Sequence, residues 1–496
     1  MLLRTAATTA IGVIALALVG ALMGPQWNPV PLTDPLIVDG GSTAIGGPVD
    51  PTPVGTYPVV TQIVQVQLDG TAVAAQLTKP VGAPGSLAGV VFVHGAGTGK
   101  FSKAFRAQAR ALASAGIVAM VPNKRLDTYS TRHRNYEAMA GDYARSVDLL
   151  RRTPGVDPAR VGVYGESEGD WIAPVMTARD PTLAFAALIS APVVPPREQA
   201  AFAAGSYLRN TGVPQGVFRA IPRAVGMSFP GGEFEYADFD VAPFQRRTTQ
   251  PVFIGYGTRD ASVPTVQGAQ QIIADLAVAG NVRYTLRYYQ GADHGIRVNG
   301  TVAPALVRDL ARWIDGLPAS ASAGPKIAGG SPTQMFRAEP VPTPRWFRDG
   351  NAVLVSVLGS SGAIGAGAVW LLLRRLRRKS TGLAAGLGRP LAALAVGAVL
   401  TVGALVWYLI EITRLALDYD KNPWVVQGAW IGVRLLGIGA VVAGAVLVNR
   451  LDDIRTDPRR QTVQGLSACM GLGLISAGSL VLLVTLAYWG VFQLGI

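Results

Sequence analysis

Long apolar runs at both ends of the chain enclose a central region whose apolar runs are short. Each long run has about 20 residues or more, which is enough for a helix to cross the hydrocarbon core of a membrane. The long runs cover residues 6–23, 352–373, 391–410, 425–448 and 466–494. In the central region, short apolar runs alternate with segments of helical period, which is typical of an α/β domain. The pattern predicts an α/β domain plus an all-α transmembrane bundle.

Two segments rich in proline, glycine and small residues separate these parts and are predicted to be linkers. Arg4 before the first apolar run, and small residues at Val19–Ala21, fit a signal anchor and a cleaved signal peptide equally well, and both would carry the central region across the membrane. The predicted domains are a signal anchor or signal peptide (1–24), a linker (25–58), the α/β domain (59–317), a second linker (318–349) and four transmembrane helices (350–496).

The charges between the apolar runs predict how the chain crosses the membrane. The loops at 374–389 and 449–462 are basic, and the loop at 411–424 is net acidic. Because basic loops stay in the cytoplasm, the α/β domain is predicted to lie outside it. Arg4 leads to the same topology, because the rule places it in the cytoplasm before the first apolar run. The charged residues that carry this prediction are Arg374, Arg375, Arg377, Arg378, Lys379, Arg389, Glu411, Arg414, Asp418, Asp420, Lys421, Arg450, Arg455, Arg459 and Arg460.

One charge, Arg434, interrupts the third helix of the bundle. It could contact an ion or a substrate within the membrane, because charges there are costly and often functional. Alternatively, it could reach the outer face or pair with Glu411 or Asp418. The sequence leaves both interpretations open.

Composition agrees with a membrane protein and excludes several other classes. Of 496 residues, 49% are hydrophobic and 15% are charged, against roughly 25% charged in an average soluble domain. The net charge of +13 does not predict nucleic-acid binding, because the basic residues lie in short runs beside apolar segments. A single cysteine, Cys469, excludes an intramolecular disulfide and any CxxC motif.

The segment Gly165-Glu-Ser-Glu-Gly169 lies between a strand-like run and a helix-like run. This G-x-S-x-G pattern is typical of a nucleophile elbow, in which a strained turn lifts the serine oxygen clear of the sheet. Glycines are needed beside the serine because larger side chains would collide there. The pattern predicts Ser167 as a nucleophile.

A serine nucleophile needs a base and, behind it, an acid. Of the three histidines, His294 follows a strand-like run at 282–289, whereas His94 precedes a glycine-rich turn and His133 lies in a charged loop. The acid is expected after another strand, between the serine and the histidine in chain order. Asp260 follows the strand-like run 251–256 and fits best. The alternatives Asp238, Asp240 and Asp293 precede that strand or adjoin the histidine.

Together, the segments HGAG, GESEG, GTRDASVP and GADHG resemble the serine α/β-hydrolase superfamily, in its dienelactone-hydrolase-like and prolyl-oligopeptidase-like esterase branch. The resemblance covers about residues 59–317. It implies the α/β-hydrolase fold, a mostly parallel eight-stranded sheet with a helical cap, and a triad of Ser167, Asp260 and His294. It also implies that the N–H groups of Ala96 and Glu168 form the oxyanion hole.

Two departures from the family limit what the resemblance implies. Asp170 stands where related elbows usually have glycine, and it could either favour the dipole of the following helix or crowd its packing. The nucleophile is serine, whereas true dienelactone hydrolases use cysteine, so that particular activity does not carry over.

About 60 residues connect the strand that ends near residue 190 with the strand that begins at 251, more than a plain connection needs. Helix-like stretches at 199–209 and 215–227 predict a cap over the site at about 191–250. Its aromatic residues Phe202, Tyr207, Phe218 and Phe229 could line an acyl pocket or pack the cap onto the sheet.

These observations predict a membrane-anchored, multi-pass serine hydrolase that cleaves an ester, thioester or amide through an acyl-enzyme, outside the cytoplasm. Its expected partners are a small acyl substrate and the lipid bilayer, with no nucleic acid, metal or organic cofactor, and the sequence names no protein partner. An acyltransferase with the same triad is the alternative within enzymes. A membrane interaction protein that keeps the fold without chemistry is the alternative outside them.

Overall fold

The computed structural model describes residues 2–47, 52–377, 383–417, 422–456 and 466–494. The chain forms two compact units. The first, here called the sheet unit, comprises Pro29–Ala203 and Phe234–Pro340. The second, here called the helical unit, comprises Met1–Asn28, Ala204–Glu233 and Val341–Ile496.

Strands and helices alternate along the middle of the chain, and long helices occupy its ends. The strands are β1 (Val59–Leu68), β2 (Thr71–Pro80), β3 (Leu87–Val93), β4 (Val118–Pro122), β5 (Val156–Glu166), β6 (Ala186–Ile189), β7 (Val252–Gly257), β8 (Tyr284–Tyr289), β9 (Arg297–Val298), β10 (Thr301–Val302) and β11 (Ile327–Gly329). The helices are α1 (Leu2–Leu22), α2 (Arg106–Ser114), α3 (Tyr136–Arg151), α4 (Gly169–Arg179), α5 (Pro196–Thr211), α6 (Ala220–Val225), α7 (Ala242–Gln245), α8 (Thr265–Val278), α9 (Pro304–Asp315), α10 (Gly350–Leu376), α11 (Gly388–Leu417), α12 (Trp430–Arg455) and α13 (Leu466–Tyr488).

The main sheet has the order β1-β2-β4-β3-β5-β6-β7-β8-β11. Along this order, the seven strands from β4 to β11 are parallel to one another. At the other edge, β2 pairs antiparallel with β4, and β1 pairs antiparallel with β2. The fold is thus the mostly parallel sheet with flanking helices that the sequence predicted. Among the described residues the sheet has nine strands, not the eight expected, because β11 adds to the edge at β8. Three residues carry no recognisable period, so this strand was hidden in the predicted linker.

The central strands read as continuous apolar runs because both faces of the sheet are covered. One apolar cluster includes Val91, Val163 and Ile254 and packs on one face, and a second includes Phe92, Tyr164 and Phe253 on the other. The alternation of neighbours between the two clusters follows the period of two along a strand. The same parallel order brings the carboxyl ends of β3 to β8 to one edge.

Part of the predicted N-terminal linker packs onto the sheet unit. The Arg287 side chain is fully buried and donates to the carbonyls of Thr43 at 2.9 Å and Ala44 at 3.3 Å. Ile45 is buried in the second apolar cluster. A buried guanidinium needs such acceptors. Residues 43–45 are therefore part of the folded sheet unit and not of a linker.

The predicted cap at 191–250 is divided between the two units. Residues up to 203 and from 234 belong to the sheet unit, and Ala204–Glu233 belongs to the helical unit. In the helical unit, Val213 and Val217 are buried in the same apolar cluster as Trp430 and Phe492. The sequence predicted the short helix-like stretches. It did not predict which apolar core would bury their apolar faces.

Five helices are long and apolar enough to span a membrane: α1, α10, α11, α12 with the π-helical turn before it, and α13. Small residues allow α1 to approach its neighbours closely, as in many membrane bundles. A side chain at Gly20 would collide with the Ala487 carbonyl, and one at Gly12 would meet Val441 at 3.0 Å. At the other end of α1, Arg4 pairs with Asp453 at 2.6 Å and with Asp452.

The buried guanidinium of Arg223 joins three parts of the helical unit. It donates to the carbonyls of Gly20 and Gly24 at 3.0 Å each, of Pro25 at 3.1 Å, and of Tyr488. Carbonyls at a helix C-terminus lack intrahelical partners and carry partial negative charge, which favours a cation there. Arg223 therefore caps the ends of α1 and α13 together.

Arg434 donates to the carbonyl of Gln493 at 2.5 Å, just beyond the end of α13. Of its two predicted partners, Glu411 accepts from Arg414 at 3.0 Å, and Asp418 lies outside the described residues. Further charges used for the orientation also lie outside them, namely Arg378, Lys379, Asp420, Lys421, Arg459 and Arg460.

Candidate active site

Ser167 stands between β5 and α4 in a strained turn. Its φ of 59° lies in the left-handed region that non-glycine residues rarely adopt. The flanking glycines have no room for a side chain, because a Cβ at Gly165 would collide with Asp170 and one at Gly169 with the Val93 carbonyl. These are the features expected of a nucleophile elbow.

Asp260 and His294 lie at the same edge of the sheet, after β7 and β8. His294 Nδ1 is 2.9 Å from Asp260 Oδ2 and 3.1 Å from Oδ1. The Asp260 side chain is fully buried, and its Oδ1 accepts the N–H of Ser262 at 2.8 Å. Burial opposes the charged imidazole, but the Asp260 charge and its hydrogen bond outweigh that effect and raise the pKa of His294. The structure therefore brings the predicted acid and base together.

Ser167 is half-buried, and its Oγ makes no hydrogen bond to His294 within the described part of the chain. Catalytic hydrogen bonds are often long without substrate and tighten in the reacting complex. The two loops are nevertheless tied together next to these residues. Arg297 donates to Glu166 Oε1 at 2.8 Å and to the His294 carbonyl at 3.0 Å. The Gly295 N–H also donates to Ser190 Oγ at 3.0 Å.

The other histidines have different surroundings. His94 is fully buried, and its Nε2 lies 2.8 Å from the Pro122 carbonyl, to which it donates. Burial lowers the pKa of His94 to about 4, so the ring is neutral. His133 is exposed on the loop before α3 and lines a surface cleft of about 620 Å³. Neither ring is hydrogen-bonded to a carboxylate in the described ranges, in contrast to His294.

None of the alternative acids is hydrogen-bonded to His294 in the described part of the chain. Asp238 pairs with Arg197 at 3.0 Å, and Asp240 accepts the N–H of Ala242 at 3.0 Å. Asp293 is half-buried, and its Oδ1 has no hydrogen-bond partner among the described residues. Of the four acids considered, Asp260 is the one that the structure pairs with His294.

The two N–H groups predicted for the oxyanion hole belong to residues just beyond β3 and β5, which are neighbours in the sheet. Neither the Ala96 N–H nor the Glu168 N–H donates to another residue in the described ranges. Ala96 is exposed, and the Glu168 side chain is buried. Donors at these positions could converge on one oxygen beside Ser167.

A cluster of charged side chains lies beside the Ala96 and Glu168 N–H groups and was not predicted from the sequence. Glu168 accepts from Lys124 at 2.8 Å, from Tyr136 at 3.3 Å and from Arg134. Lys124 also donates to the carbonyl of Gly95 at 3.0 Å. Burial lowers the pKa of Lys124, and the Glu168 carboxylate opposes that effect. The available signal was the position of Lys124 just after β4, where the sheet presents its loop residues.

Asp170 is fully buried, and neither carboxyl oxygen has a hydrogen-bond partner among the residues that the structure describes. Burial and the nearby charge of Glu166 raise its pKa well above the usual range, which favours the neutral acid. A neutral carboxyl does not act as an anion on the helix dipole. The side chain instead fills the space above Gly165, where glycine is required.

Two aromatic residues of the predicted cap, Phe202 and Phe218, belong to different units. Phe202 packs against Phe336 in the sheet unit, with ring centroids 5.0 Å apart and the rings tilted by 47°. Phe218 is buried in the helical unit, with the Arg209 guanidinium 5.0 Å from its ring centroid. Packing therefore accounts for both side chains. No group of three or more metal-ligating side chains occurs in the described ranges.

Residues 103–318 match the prolyl oligopeptidase family, and this segment contains Ser167, Asp260 and His294. The match confirms the resemblance of the sheet unit to the serine α/β-hydrolase superfamily. The comparison with curated proteins gives no match.

Solved structures similar to this chain include two named esterases and a dienelactone hydrolase. The dienelactone hydrolase of Anabaena variabilis is 17% identical, with a TM-score of 0.37, covering 51% of this chain and 96% of that one. The Pyrobaculum calidifontis esterase is 18% identical, with a TM-score of 0.39, covering 53% and 88%. The Pyrococcus furiosus esterase is 16% identical, with a TM-score of 0.34, covering 50% and 91%.

Proposed function

We propose that this protein is a membrane-anchored serine hydrolase that cleaves an ester, thioester or amide through an acyl-enzyme. The observation that carries the proposal is the pairing of His294 with the buried Asp260 at the sheet edge where Ser167 occupies a strained elbow. In this proposal Ser167 Oγ attacks the carbonyl carbon while His294 Nε2 takes its proton. The same proton then passes to the leaving group, and water releases the acyl group by the reverse sequence.

Asp260 has two roles in the proposed reaction. By accepting the Nδ1–H of His294, it leaves Nε2 as the proton acceptor. Its charge then stabilises the imidazolium that forms. The negative charge on the substrate oxygen is met by the N–H groups of Ala96 and Glu168, which donate to no other residue in the described ranges. Such donors are most effective when they are fixed in advance.

Labelling with a fluorophosphonate tests this proposal directly. An activated serine displaces fluoride, so a bond forms between its Oγ and phosphorus as the bond to fluorine breaks. We expect the full-length protein in detergent to be labelled and Ser167→Ala to be unlabelled. Ser262→Ala, which removes another partly exposed serine near Asp260, is the control and should still react. An unlabelled wild-type protein, or labelling that survives Ser167→Ala, would contradict the proposal.

We propose further that α1 stays in the membrane as a fifth spanning helix and that the sheet unit lies outside the cytoplasm. Three contacts support this arrangement. Arg4 pairs with Asp452 and Asp453 at the end of α12, which places the start of α1 on the side of the basic loops. Arg223 caps the other end of α1, and Gly20 packs on α13. Cleavage of α1 would remove all three contacts.

Reporter fusions test the orientation. Alkaline phosphatase, which is active only outside the cytoplasm, should be active when joined after Leu317 and inactive when joined after Lys379. The reason is the basic loop after α10, which holds that end of the helix in the cytoplasm. Cell-surface phosphatase activity, normalised to the amount of fusion protein, is the measurement.

An epitope placed before Leu2 distinguishes a retained α1 from a cleaved one. It should remain on the full-length protein, which would then run at the mass of the uncleaved chain on a gel. Loss of the epitope would refute retention of α1 without affecting the orientation, since a cleaved signal also exports the sheet unit. The reverse phosphatase pattern would refute the orientation.

A further inference from the structure

The Lys124 side chain contacts both of the loops that carry the proposed oxyanion donors. In the sheet β4 lies next to β3, and β3 lies next to β5. Lys124 follows β4, Gly95 and Ala96 follow β3, and Glu168 follows β5. The ammonium group donates to Gly95 O at 3.0 Å and to Glu168 Oε2 at 2.8 Å. The Lys124 and Glu168 side chains are only 7% and 1% exposed, so these bonds are not shared with bulk water.

The bond to Gly95 acts on the same peptide group that carries the Ala96 N–H. A peptide group is planar and trans, so its carbonyl and its N–H point in opposite directions. Holding the oxygen of Gly95 therefore fixes the direction of the Ala96 N–H. A cation bound at the carbonyl also polarises the peptide group and strengthens the N–H as a donor, because linked hydrogen bonds reinforce one another.

The local charges add to this effect. Around Glu168 there are two cations, Lys124 and Arg134, for one carboxylate, and the nearby His94 is neutral because it is buried. A net positive charge thus remains next to the position of the developing oxyanion. Because the Lys124 and Glu168 side chains are buried, their charges are screened less than at the surface.

We propose that Lys124 is a positioning residue of the oxyanion hole, which aligns the Ala96 and Glu168 N–H groups on one substrate oxygen. This inference rests on the proposed function, because it takes those two N–H groups as the donors. Lys124 acts through the Gly95–Ala96 peptide group and the Glu168 side chain and does not itself touch the substrate. Its role should therefore be expressed in the transition state and not in substrate binding.

Lys124→Met tests the proposal, because methionine keeps the unbranched chain and removes the charge. We expect kcat for an acyl ester to fall about 10²-fold, the lower end of the effect of losing an oxyanion donor, with KM changed less than threefold. A trifluoromethyl ketone provides a second readout. Ser167 adds to its carbonyl, the proton passes to His294, and a stable oxyanion forms. Its inhibition constant should rise in proportion to the loss of kcat/KM.

Arg134→Met is the matched control, since Arg134 binds the same carboxylate but not Gly95. It should lower kcat much less than Lys124→Met. Two results would show that Lys124 merely pairs a buried carboxylate. One is an equal loss of kcat in Lys124→Met and Arg134→Met. The other is a loss of affinity for the ketone no greater than the loss of affinity for the substrate. If Lys124→Met does not fold, Lys124→Gln, which is shorter and uncharged, is tested by the same two measurements. Wild-type kcat in Lys124→Gln would overturn the proposal.

Failure of the inference can be told apart from failure of the proposed function. If the protein is not a serine hydrolase, the wild type shows no fluorophosphonate labelling and no ester cleavage. If only the role of Lys124 is wrong, the wild type is labelled and active, and Lys124→Met turns over at the wild-type rate.

Discussion

Replacing Ser167 with alanine should lower kcat by on the order of 10⁴–10⁶-fold, the range found for triad nucleophiles. The expected loss is large because no acyl-enzyme can form without the Ser167 oxygen. Alanine has one atom less and needs no new space in the turn, which limits structural side effects. The measurement is hydrolysis of nitrophenyl esters of increasing acyl length by the full-length protein in detergent, which also shows the preferred chain length.

The remaining rate is informative as well. Background catalysis by the oxyanion hole and by binding typically survives loss of the nucleophile at about 10³–10⁴-fold over water. Ser190, which also has a positive φ of 52°, offers a comparison because it lies after the neighbouring strand β6 and contacts Gly295. Its alanine variant should lose far less activity. Activity of Ser167→Ala within tenfold of the wild type would remove Ser167 from the proposed role.

Asp260→Asn should leave the fold intact and lower kcat by about 10⁴-fold. The amide has nearly the same shape, but its NH₂ group can hold the His294 tautomer that presents an N–H to Ser167. Asp293→Asn is the matched control, because Asp293 is also a carboxylate next to His294 but the structure does not pair it with the ring. If Asp293→Asn were crippled and Asp260→Asn were near wild type, the acid would be misassigned.

The pH profile gives an independent measure of the same pair. Because the Asp260 charge raises the pKa of His294, kcat/KM should rise with pH through a midpoint above about 6.5 and then level off. Below the midpoint the ring is protonated and cannot accept the Ser167 proton. In Asp260→Asn the residual activity should have its midpoint at lower pH, since burial then acts without the opposing charge. A rate that is flat from pH 5 to 9 would exclude His294 as the base.

The sequence predicted those features that leave a strong local trace. The strand-like runs at 251–256 and 282–289 correspond to β7 and β8 to within two residues at each end, and G-x-S-x-G lies between a strand and a helix as expected. Asp260 and His294 were predicted from their places after strands, because parallel strands deliver such residues to one edge. Their hydrogen bond agrees with that reasoning.

Other features depend on long-range partners and left no trace in the sequence. Lys124 is one of seven lysines and lies in no motif, and only the folded sheet brings it within reach of Gly95 and Glu168. Arg297 likewise lies in no motif. β11 is too short for a period. The division of residues 191–250 between two units could not be predicted, because a short apolar face in the sequence does not indicate which core it will join.

The contacts of Arg223 constrain the order in which the protein can mature. Its partner Tyr488 lies 265 residues further along the chain, at the end of the last helix. At about 5–20 residues per second, a ribosome needs roughly 13–53 s to add that length. During this time the segment around Arg223 lacks one of its carbonyl partners. The segment around Arg223 can therefore complete its hydrogen bonds only after the end of α13 has been synthesised.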